Sequence, residues 1–298
     1  MELIRTIEWM KQAARQARAE GRVTGFVPTM GALHAGHLSL VEAARRESSP
    51  VIVSIFVNPK QFGPNEDFAK YPRAFDADRK LLEEAGADVL FAPTVEEMYP
   101  PGFRTVVNVE GLSDQLEGRV RPGHFRGVAT VVLRLFEIVL PRFAYFGRKD
   151  AQQQRIIRQM ASDLALDTEI VACPIVREAD GLAMSSRNAY LSPNERRAAP
   201  VLYRALERAR EMITAGERNA VRLIDAMRRV LAAEPLAAPD YVEIVDADSF
   251  EAVTQLRRPS FALLAVRIGA TRLIDNMLIE FQDSAGGTEP GGAIHCLL

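Results

Sequence analysis

Short apolar runs alternate with amphipathic stretches through the first half of the chain. Runs rich in β-branched and aromatic residues, such as VIVSIFV at 51–57, have the length and composition of buried strands. The segments between them repeat apolar residues at helical spacing. The pattern predicts strands at Val23–Val27, Val51–Val57, Ala87–Phe91, Thr105–Val109, Arg142–Phe146 and Thr168–Cys173. It predicts intervening helices at Leu3–Arg18, Leu38–Arg46, Phe75–Glu84, Ala129–Ile138 and Ala151–Leu164. Such alternation is typical of α/β proteins, so we expect a Rossmann-like, doubly wound parallel sheet over residues 1–175.

The pattern changes after about residue 175. A capping box at 192–195 predicts a helix that continues to about Ala215, where Gly216 ends it. A second helix and three strands are predicted after it, at Ala220–Ala233, Tyr241–Val245, Phe261–Ile268 and Leu273–Phe281. We therefore expect a smaller α+β domain, serving as a lid, over residues 176–283. Residues 284–298 are Gly-rich and aperiodic, which predicts a flexible tail.

Composition and charge narrow the class of protein. The 298 residues include 37 Lys and Arg against 39 Asp and Glu, so no global field attracts a nucleic acid. The longest apolar runs, such as 128–140, are broken by charged residues and are too short to span a membrane, and residues 1–21 lack the apolar core of a signal peptide. Two cysteines, Cys173 and Cys296, make no disulfide framework. We expect a soluble cytoplasmic protein with no nucleic-acid or membrane partner.

The loop after the first long strand carries two imidazoles. Residues 26–37 place His34 and His37 between that strand and a helix, where backbone N–H groups, the helix amino terminus and imidazole donors can all face a phosphate. His residues that merely cap or pack the turn remain an alternative. Zinc is a weaker one, since only His124 and His295 remain as further histidines and no Cys pair exists. No P-loop sequence is present.

Two further strand ends carry polar groups. Asn58 and Gln61 follow the strand at 51–57 and can hydrogen-bond a small polar substrate, although a solvated Pro/Gly/Asn turn has the same composition. Lys149 and Asp150 follow the strand at 142–146, where Lys149 can hold phosphate and Asp150 can accept from a ribose hydroxyl. A solvated, capped strand-to-helix junction is the alternative there.

The segment 176–188 lies at the expected domain boundary. Ser185, Ser186 and Arg187 stand in succession and can clamp polyphosphate oxygens as a loop closes, unless the segment is simply a polar linker. His124, in the basic Gly-containing loop 119–127, is a further candidate ligand for a carboxylate substrate.

Together these segments resemble the pantothenate synthetase family, the ATP-dependent pantoate–β-alanine ligases. The resemblance covers essentially residues 1–283 in order, through PTMGALHAGH (28–37), SIFVNPKQFG (54–63), DFAKYPR (67–73), LEGRVRPGHFRGV (116–128), YFGRKDAQQ (145–153) and VREADGLAMSSRNAYLS (176–192). The wider group that it resembles is the paired-His nucleotidyltransferases, with MSSR standing where relatives carry a KMSKS-like loop.

The resemblance implies a site. It implies ATP contacts from Met30, Gly31, Ala32, Leu33, His34, Ala35, Gly36, His37, Gly147, Arg148, Lys149, Asp150, Val176, Met184, Ser185, Ser186 and Arg187. His37 would be the proton donor, and the other catalytic groups would be His34, Lys149, Ser185, Ser186 and Arg187. Gln61, Gln153 and Asn58 would bind substrate.

The implied partners are small molecules. ATP would be the cosubstrate with Mg²⁺, the substrates would be pantoate and β-alanine, and the protein would form a homodimer and hold no metal in a site of its own. Arg148 stands where relatives often carry an acidic residue and Ala151 where an aromatic is common, which affects the shape of the nucleotide pocket. Two other classes stay open: a sibling nucleotidyltransferase that leaves the nucleotide on its product, and a regulatory module that binds ATP without turnover.

Overall fold

The computed structural model describes residues 1–64, 66–281 and 294–298, which divide into two compact units, Met1–Pro174 and Ile175–Leu298. The strands of the first unit are β1 (Glu2–Ile4), β2 (Gly25–Thr29), β3 (Val51–Ile55), β4 (Val89–Phe91), β5 (Phe143–Gly147) and β6 (Glu169–Cys173). Its helices are α1 (Ile7–Ala19), α2 (Ala35–Glu47), α3 (Phe75–Ala85), α4 (Val95–Met98), α5 (Leu116–Val120), α6 (His124–Val139) and α7 (Ala151–Asp163).

The six strands form one parallel sheet in the order β1-β4-β3-β2-β5-β6. From β2 the chain adds β3 and β4 on one side and then β5 and β6 on the other. The strand order therefore reverses between β2 and β5, which pair directly through Gly25–Phe143 and Phe26–Ala144. The predicted α/β fold with a doubly wound parallel sheet is confirmed.

Both faces of the sheet are covered. Phe26 and Val27 are consecutive in β2, so their side chains point to opposite faces, and both are fully buried. The Phe26 ring contacts Phe136 of α6 edge-on, whereas Val27 belongs to a cluster that includes Val41 of α2. Such two-sided burial explains why the strands appear in the sequence as continuous apolar runs.

One predicted element in this unit is wrong, and the amino-terminal helix starts later than predicted. The amino-terminal helix begins at Ile7, after the Thr6 hydroxyl caps the Trp9 amide, and the preceding residues form β1. The strand predicted at Thr105–Val109 is an irregular segment instead. Its Val107 N–H donates to the Thr130 hydroxyl of α6 at 2.9 Å, so a side chain satisfies a donor that would otherwise require a neighbouring strand.

The described residues of the second unit form three α-helices and a four-stranded antiparallel sheet of order β10-β9-β8-β7. The elements are α8 (Pro193–Ala198), α9 (Val201–Thr214), α10 (Ala220–Ala232), β7 (Ala237–Asp246), β8 (Ser260–Ile268), β9 (Thr271–Phe281) and β10 (Ile294–Leu297). The single helix predicted up to Ala215 is divided into α8 and α9, because Pro200 has no N–H to continue the helical ladder.

The last residues also differ from expectation. Ile294–Leu297 pairs antiparallel with β9, and Ile294, Cys296 and Leu298 pack against the core of the unit. A flexible tail is thus the wrong description of these residues, while 284–293 lies outside the described residues. The apolar alternation of the last five residues is the signal for this strand, although a stretch so short is easily overlooked. Among the described residues, no helix has the length and apolarity needed to cross a membrane.

Candidate active site

Three polar loops leave the carboxyl ends of neighbouring strands. Met30–His34 follows β2, Asn58–Gln61 comes shortly after β3, and Arg148–Asp150 follows β5. Because the strand order reverses between β2 and β5, the crevice outside their carboxyl ends is where doubly wound sheets bind ligands. The topology therefore brings the predicted site residues of the first unit to one edge of the sheet.

The two histidines of the β2 loop are bonded to the start of α2. His34 is the N-cap residue, and its Nδ1 accepts the Gly36 N–H at 3.1 Å. The His34 N–H in turn donates to Nδ1 of His37 at 3.4 Å, and the two ring centroids lie 4.1 Å apart. Since each Nδ1 is an acceptor, each neutral ring carries its proton on Nε2. The capping arrangement thus leaves two imidazole N–H donors for a ligand.

The surroundings hold both rings in the neutral form. Burial lowers the pKa of His37 to about 3, with the charges of His34 and Lys149 as further causes. Burial and then Lys149 lower the pKa of His34 to about 4, while Asp150 acts in the opposite direction. Lys149 thus contributes to the electrostatic environment of both rings, which couples the loops after β2 and β5.

Five backbone amides of the β2 loop are already bonded within the protein, contrary to expectation. The Gly31 N–H donates to the Thr29 hydroxyl at 3.2 Å, and those of Ala32 and Leu33 donate to the Asp78 carboxylate at 2.8 Å each. The His34 and Gly36 amides are bonded to imidazole nitrogens. These five N–H groups are therefore not open to phosphate, and the side chains of the loop are the main candidates for that contact.

The segment after β3 is a hydrogen-bonded network centred on Asn58, which is only 1% exposed. Its Nδ2 donates to Gln61 Oε1 at 3.0 Å and to the Gly127 carbonyl at 3.1 Å. Its Oδ1 accepts from the Tyr99 hydroxyl at 2.9 Å and from the Lys60 amide at 3.2 Å. All four hydrogen-bonding positions of the amide are used, so Asn58 orients Gln61 and offers no free group to a substrate.

Gln61 retains hydrogen-bonding capacity. Its Nε2 donates to the Met30 sulfur at 3.0 Å, a weak acceptor that a substrate oxygen can replace, and one N–H remains. The contact also links the loop after β3 to the one after β2.

His124 is engaged on both sides and is not available to a carboxylate substrate. Its Nδ1 donates to the Gln61 carbonyl at 2.8 Å, and its Nε2 accepts from Arg121 at 3.1 Å. Burial first, and Arg121 next, lower the pKa of His124 to about 4. Arg121 also pairs with Glu66 through two bonds of 2.9 and 2.6 Å. This cluster fixes the main chain of Gln61.

Three consecutive glutamines begin α7, and the structure distinguishes them. Gln152 is buried; its Nε2 donates to the Leu112 and Gln115 carbonyls and its Oε1 accepts the Glu117 amide. Gln154 is buried as well, whereas Gln153 is half-buried. Gln153 is therefore the member of the run whose amide is accessible to substrate.

The β5 loop forms a short 3-10 turn, Arg148–Asp150, directly before α7. Asp150 occupies the N-cap position of α7, and its side chain makes no capping hydrogen bond. Ala151 is buried, so its small side chain belongs to the packing of the unit. Arg148 is close enough to influence the buried Cys173 thiol, whose pKa is raised by burial.

Val176 and Met184–Arg187 lie in the second unit, at the foot of a small hairpin. Its two sides are joined by the bridge Arg177–Ala183 and by the Met184 N–H, which donates to the Val176 carbonyl at 3.0 Å. Ser185 Oγ accepts the Arg187 N–H at 3.2 Å and starts a 3-10 helix, Ser186–Tyr190.

A buried ion pair fixes this hairpin to β9. Arg177 binds Asp275 through bonds of 2.7 and 3.0 Å, with side chains 11% and 2% exposed. Arg177 also donates to the Gly181 carbonyl at 3.0 Å and lies over the Tyr203 ring. Specific contacts therefore hold the segment that carries Met184–Arg187 within the second unit, so it is not simply a polar linker.

Sequence reasoning missed Asp78, Tyr99 and Gly127. Asp78 resembles any acidic residue in the first turn of a helix, and Tyr99 gives no local signal. Gly127 lies within α6, where an added Cβ would come 2.1 Å from the Lys60 carbonyl oxygen. A glycine inside a helical pattern is a usable signal for such close packing.

A metal site built by the protein alone is not found in the described part of the chain, where no three His, Cys, Asp or Glu side chains are grouped closely enough to hold an ion.

Comparison with known proteins covers nearly the whole chain. The profile of the pantoate-beta-alanine ligase family matches residues 2–278. Pantothenate synthetases from Heliobacterium modesticaldum and Roseiflexus castenholzii are each 58% identical over 280 residues, which is 94% of this chain and 100% of the relative.

Solved structures agree with this assignment. The crystal structure of pantothenate synthetase from Thermus thermophilus matches with a TM-score of 0.89 and 50% identity, covering 93% of this chain and 98% of that one. The Francisella tularensis pantoate-beta-alanine ligase complexed with beta-gamma ATP and beta-alanine matches with a TM-score of 0.75 and 36% identity, covering 93% and 97%. On the strength of sequence, fold and coverage together, this chain belongs to the pantoate–β-alanine ligase family.

Proposed function

We propose that this chain condenses pantoate with β-alanine at the expense of ATP, as a pantothenate synthetase. A carboxylate oxygen of pantoate attacks the α-phosphorus, the bond to the pyrophosphate breaks, and pantoyl adenylate forms. The β-alanine nitrogen then attacks the acyl carbon, loses a proton and displaces AMP, leaving the amide. Family membership across residues 2–278 carries the proposal, and the neutral histidine pair at the sheet's switch point supports it.

The histidine pair is assigned to the phosphates as hydrogen-bond donors. With pKa values of about 4 and 3, His34 and His37 are neutral at pH 7, so each donates a hydrogen bond through Nε2–H. Negative charge growing on the departing pyrophosphate strengthens those bonds, which favours the transition state over bound ATP. The same charge raises the imidazole pKa, so His37 can take up a second proton from solvent and pass it to the pyrophosphate as it leaves.

Lys149 supplies the positive charge in the first unit. Its electrostatic influence on both imidazoles supports assigning it to the same phosphate oxygens. A carboxylate approaching a polyphosphate is repelled, and a fixed ammonium reduces that repulsion. Gly147 and Arg148 complete the ATP-binding segment, with Asp150 assigned to a ribose hydroxyl.

Gln61 and Gln153 are assigned to pantoate. Both amides can exchange weak or solvent hydrogen bonds for those of a hydroxy acid, and neither adds charge next to the reacting carboxylate. Asn58 orients Gln61 and does not bind substrate itself, because its own side-chain amide already makes four hydrogen bonds within the protein.

The domain formed by residues 176–283 with the strand at 294–297 is assigned five ATP contacts. They come from Val176, Met184, Ser185, Ser186 and Arg187. The hairpin fixed by Arg177 and Asp275 would carry these groups as one body. Acyl adenylates hydrolyse in water, so closure over the intermediate would protect it.

Mg²⁺ fits this arrangement as a companion of ATP. Mg²⁺ gives up its water reluctantly and is commonly bound through substrate phosphates and several waters, so the phosphate oxygens of ATP would hold it without a cage of protein side chains. When bound, the ion neutralises phosphate charge. We also propose that the protein is cytoplasmic and forms a homodimer.

The test is ATP turnover with Mg²⁺ and pantoate, with and without β-alanine. Pyrophosphate release with pantoate alone, then AMP release and a product of pantothenate mass once the amine is added, is the expected result. Nucleotide retained on the product would identify a nucleotidyltransferase, and binding without turnover a regulatory module; either contradicts the proposal.

A further inference from the structure

A buried carboxylate lies beneath the loop that leads to the histidine pair. Asp78, on α3, is 3% exposed, and its two oxygens accept the N–H groups of Ala32 and Leu33 at 2.8 Å each. Among the residues that the structure describes, it forms no salt bridge with Lys or Arg. Burying an ionised carboxylate is costly, and charge-assisted bonds to two amides offset only part of that cost. The reason for burying a carboxylate at this position therefore lies in the conformation of the loop that Asp78 binds.

The loop has a backbone conformation that requires support. Gly31 and Ala32 have φ angles of +82° and +51°, in the left-handed region that disfavours a residue with a Cβ. A Cβ at Gly31 would also come 3.0 Å from Asp78 Oδ2, so the close approach of carboxylate and loop depends on glycine. The paired bonds from Asp78 hold two successive amides in one orientation and so fix this conformation.

The loop passes its orientation directly to the imidazoles. Leu33 is followed at once by His34, whose N–H bonds to His37 and whose ring caps Gly36. A shift in the Ala32–Leu33 peptide therefore moves the N-cap residue and both Nε2–H donors. As a ligand Asp78 would repel phosphate, and the N–H groups it occupies are withheld from phosphate, so it has no favourable direct role in ATP binding.

We infer that Asp78 is a positioning residue for adenylate formation, which acts by holding the Gly31–Leu33 loop so that His34 and His37 meet the phosphates. The inference rests on the proposed function. It assigns Asp78 to the step in which pyrophosphate leaves and not to the attack by β-alanine, because the pyrophosphate has departed by then.

The variant Asp78→Asn tests this with little change in volume. Its amide has one oxygen acceptor, and its NH₂ faces the second backbone N–H, so one of the two bonds is lost. We expect pyrophosphate release from ATP and pantoate to slow at least about tenfold, the scale of an ångström-level misplacement of reacting groups. Aminolysis of synthetic pantoyl adenylate by β-alanine, normalised to active sites, is expected to stay within about twofold of the unsubstituted chain.

A matched control is available in the same unit. Asp88 accepts the Val51 N–H at 2.7 Å at the amino end of β3, away from the site. Asp88→Ala removes a similar bond between a backbone N–H and a carboxylate, so both half-reactions should stay within about twofold even if the melting temperature falls. If Asp78→Asn does not fold, Asp78→Glu keeps both acceptors on a longer stem and should slow the first half-reaction alone.

The path through the histidines is tested by a double-mutant cycle. If Asp78 acts through His37, the effect of Asp78→Asn should largely disappear in the His37→Gln background. Equal losses in both half-reactions, or the full effect persisting without His37, would overturn the inference. A normal adenylation rate in Asp78→Asn beside a lost rate in His37→Gln would also overturn it while leaving the proposed function intact; no pyrophosphate release by the unsubstituted chain would contradict the proposed function itself.

Discussion

Replacing Gly127 by alanine is expected to displace Gln61, whose amide is assigned to substrate binding, without altering that residue itself. The new Cβ on α6 would lie 2.1 Å from the Lys60 carbonyl oxygen and 2.7 Å from the Gln61 Cα, both main-chain atoms that cannot rotate away. Relief of these contacts requires the helix and the 58–61 segment to separate by about 1 Å. That separation stretches the 3.1 Å bond from Asn58 to the Gly127 carbonyl, and with it the support of Gln61.

Two opposing contributions set the stability of this variant. Alanine in place of glycine within a helix favours folding by about 1 kcal/mol, whereas overpacking costs about 1–3 kcal/mol. The net change is therefore a loss of up to about 2 kcal/mol in the free energy of unfolding, and the displacement of Gln61 comes in addition. We expect kcat/KM for pantoate to fall about 10- to 100-fold, with a smaller change in KM for ATP.

Steady-state kinetics with each substrate varied in turn, alongside thermal unfolding, measures both effects. Gly63→Ala is the matched control, because its Cβ would meet only the Glu66 side chain at an ordinary 3.6 Å. Unchanged kcat/KM for pantoate in Gly127→Ala would refute the reasoning that this helix contact places Gln61, and so would an equal loss in the Gly63 variant.

Three further outcomes follow from charges and strand pairing. In the unfolded chain the two histidines take up protons near pH 6.5, but in the folded protein His34 and His37 do so only near pH 4 and 3. Stability therefore falls as the pH drops below about 6.5, by about 2 kcal/mol at pH 5 for the more deeply buried His37 and by less for the more exposed His34. Urea midpoints at pH 7 and 5 should show this difference, and His37→Gln should reduce it. Asp275→Asn leaves a buried guanidinium without its charge partner and should cost about 3–5 kcal/mol, against less than about 1 for the exposed Asp167→Asn, both by thermal unfolding. Truncation after Phe281 removes β10 and should lower the melting temperature while ATP turnover persists.

Sequence periodicity predicted where the polar loops lie, because residues that follow buried parallel strands lie at one edge of the sheet. The strand at 51–57 and the run before Gly147 are apolar enough to be recognised as buried, and the polar residues that follow them necessarily lie at the carboxyl edge of a parallel sheet. The histidines were found for the same reason, since His34 and His37 stand between β2 and α2.

Contacts between residues that are distant in sequence could not be predicted from local sequence patterns. Asp78 bonds the β2 loop across 46 residues, and Asn58 bonds Gly127 across 69. Nothing near Asp78 distinguishes it from Asp76, and nothing near Asn58 shows that its amide is saturated. The strand expected at Thr105–Val109 was wrong for a related reason: its composition favours extended backbone, but its partner proved to be a side chain of α6.

The strand Ile294–Leu297 lies beyond the family match, which ends at residue 278, and pairs with β9 of the same chain. Because both strands belong to one chain, their pairing is intramolecular, and the effective concentration of the segment at the β9 edge is on the order of millimolar. A detached peptide of the same sequence, or the tail of a second molecule at micromolar concentration, would therefore compete poorly for that edge. The β10 strand of the same chain therefore occupies the β9 edge in preference to strands of other molecules, so neighbouring molecules should rarely exchange strands there.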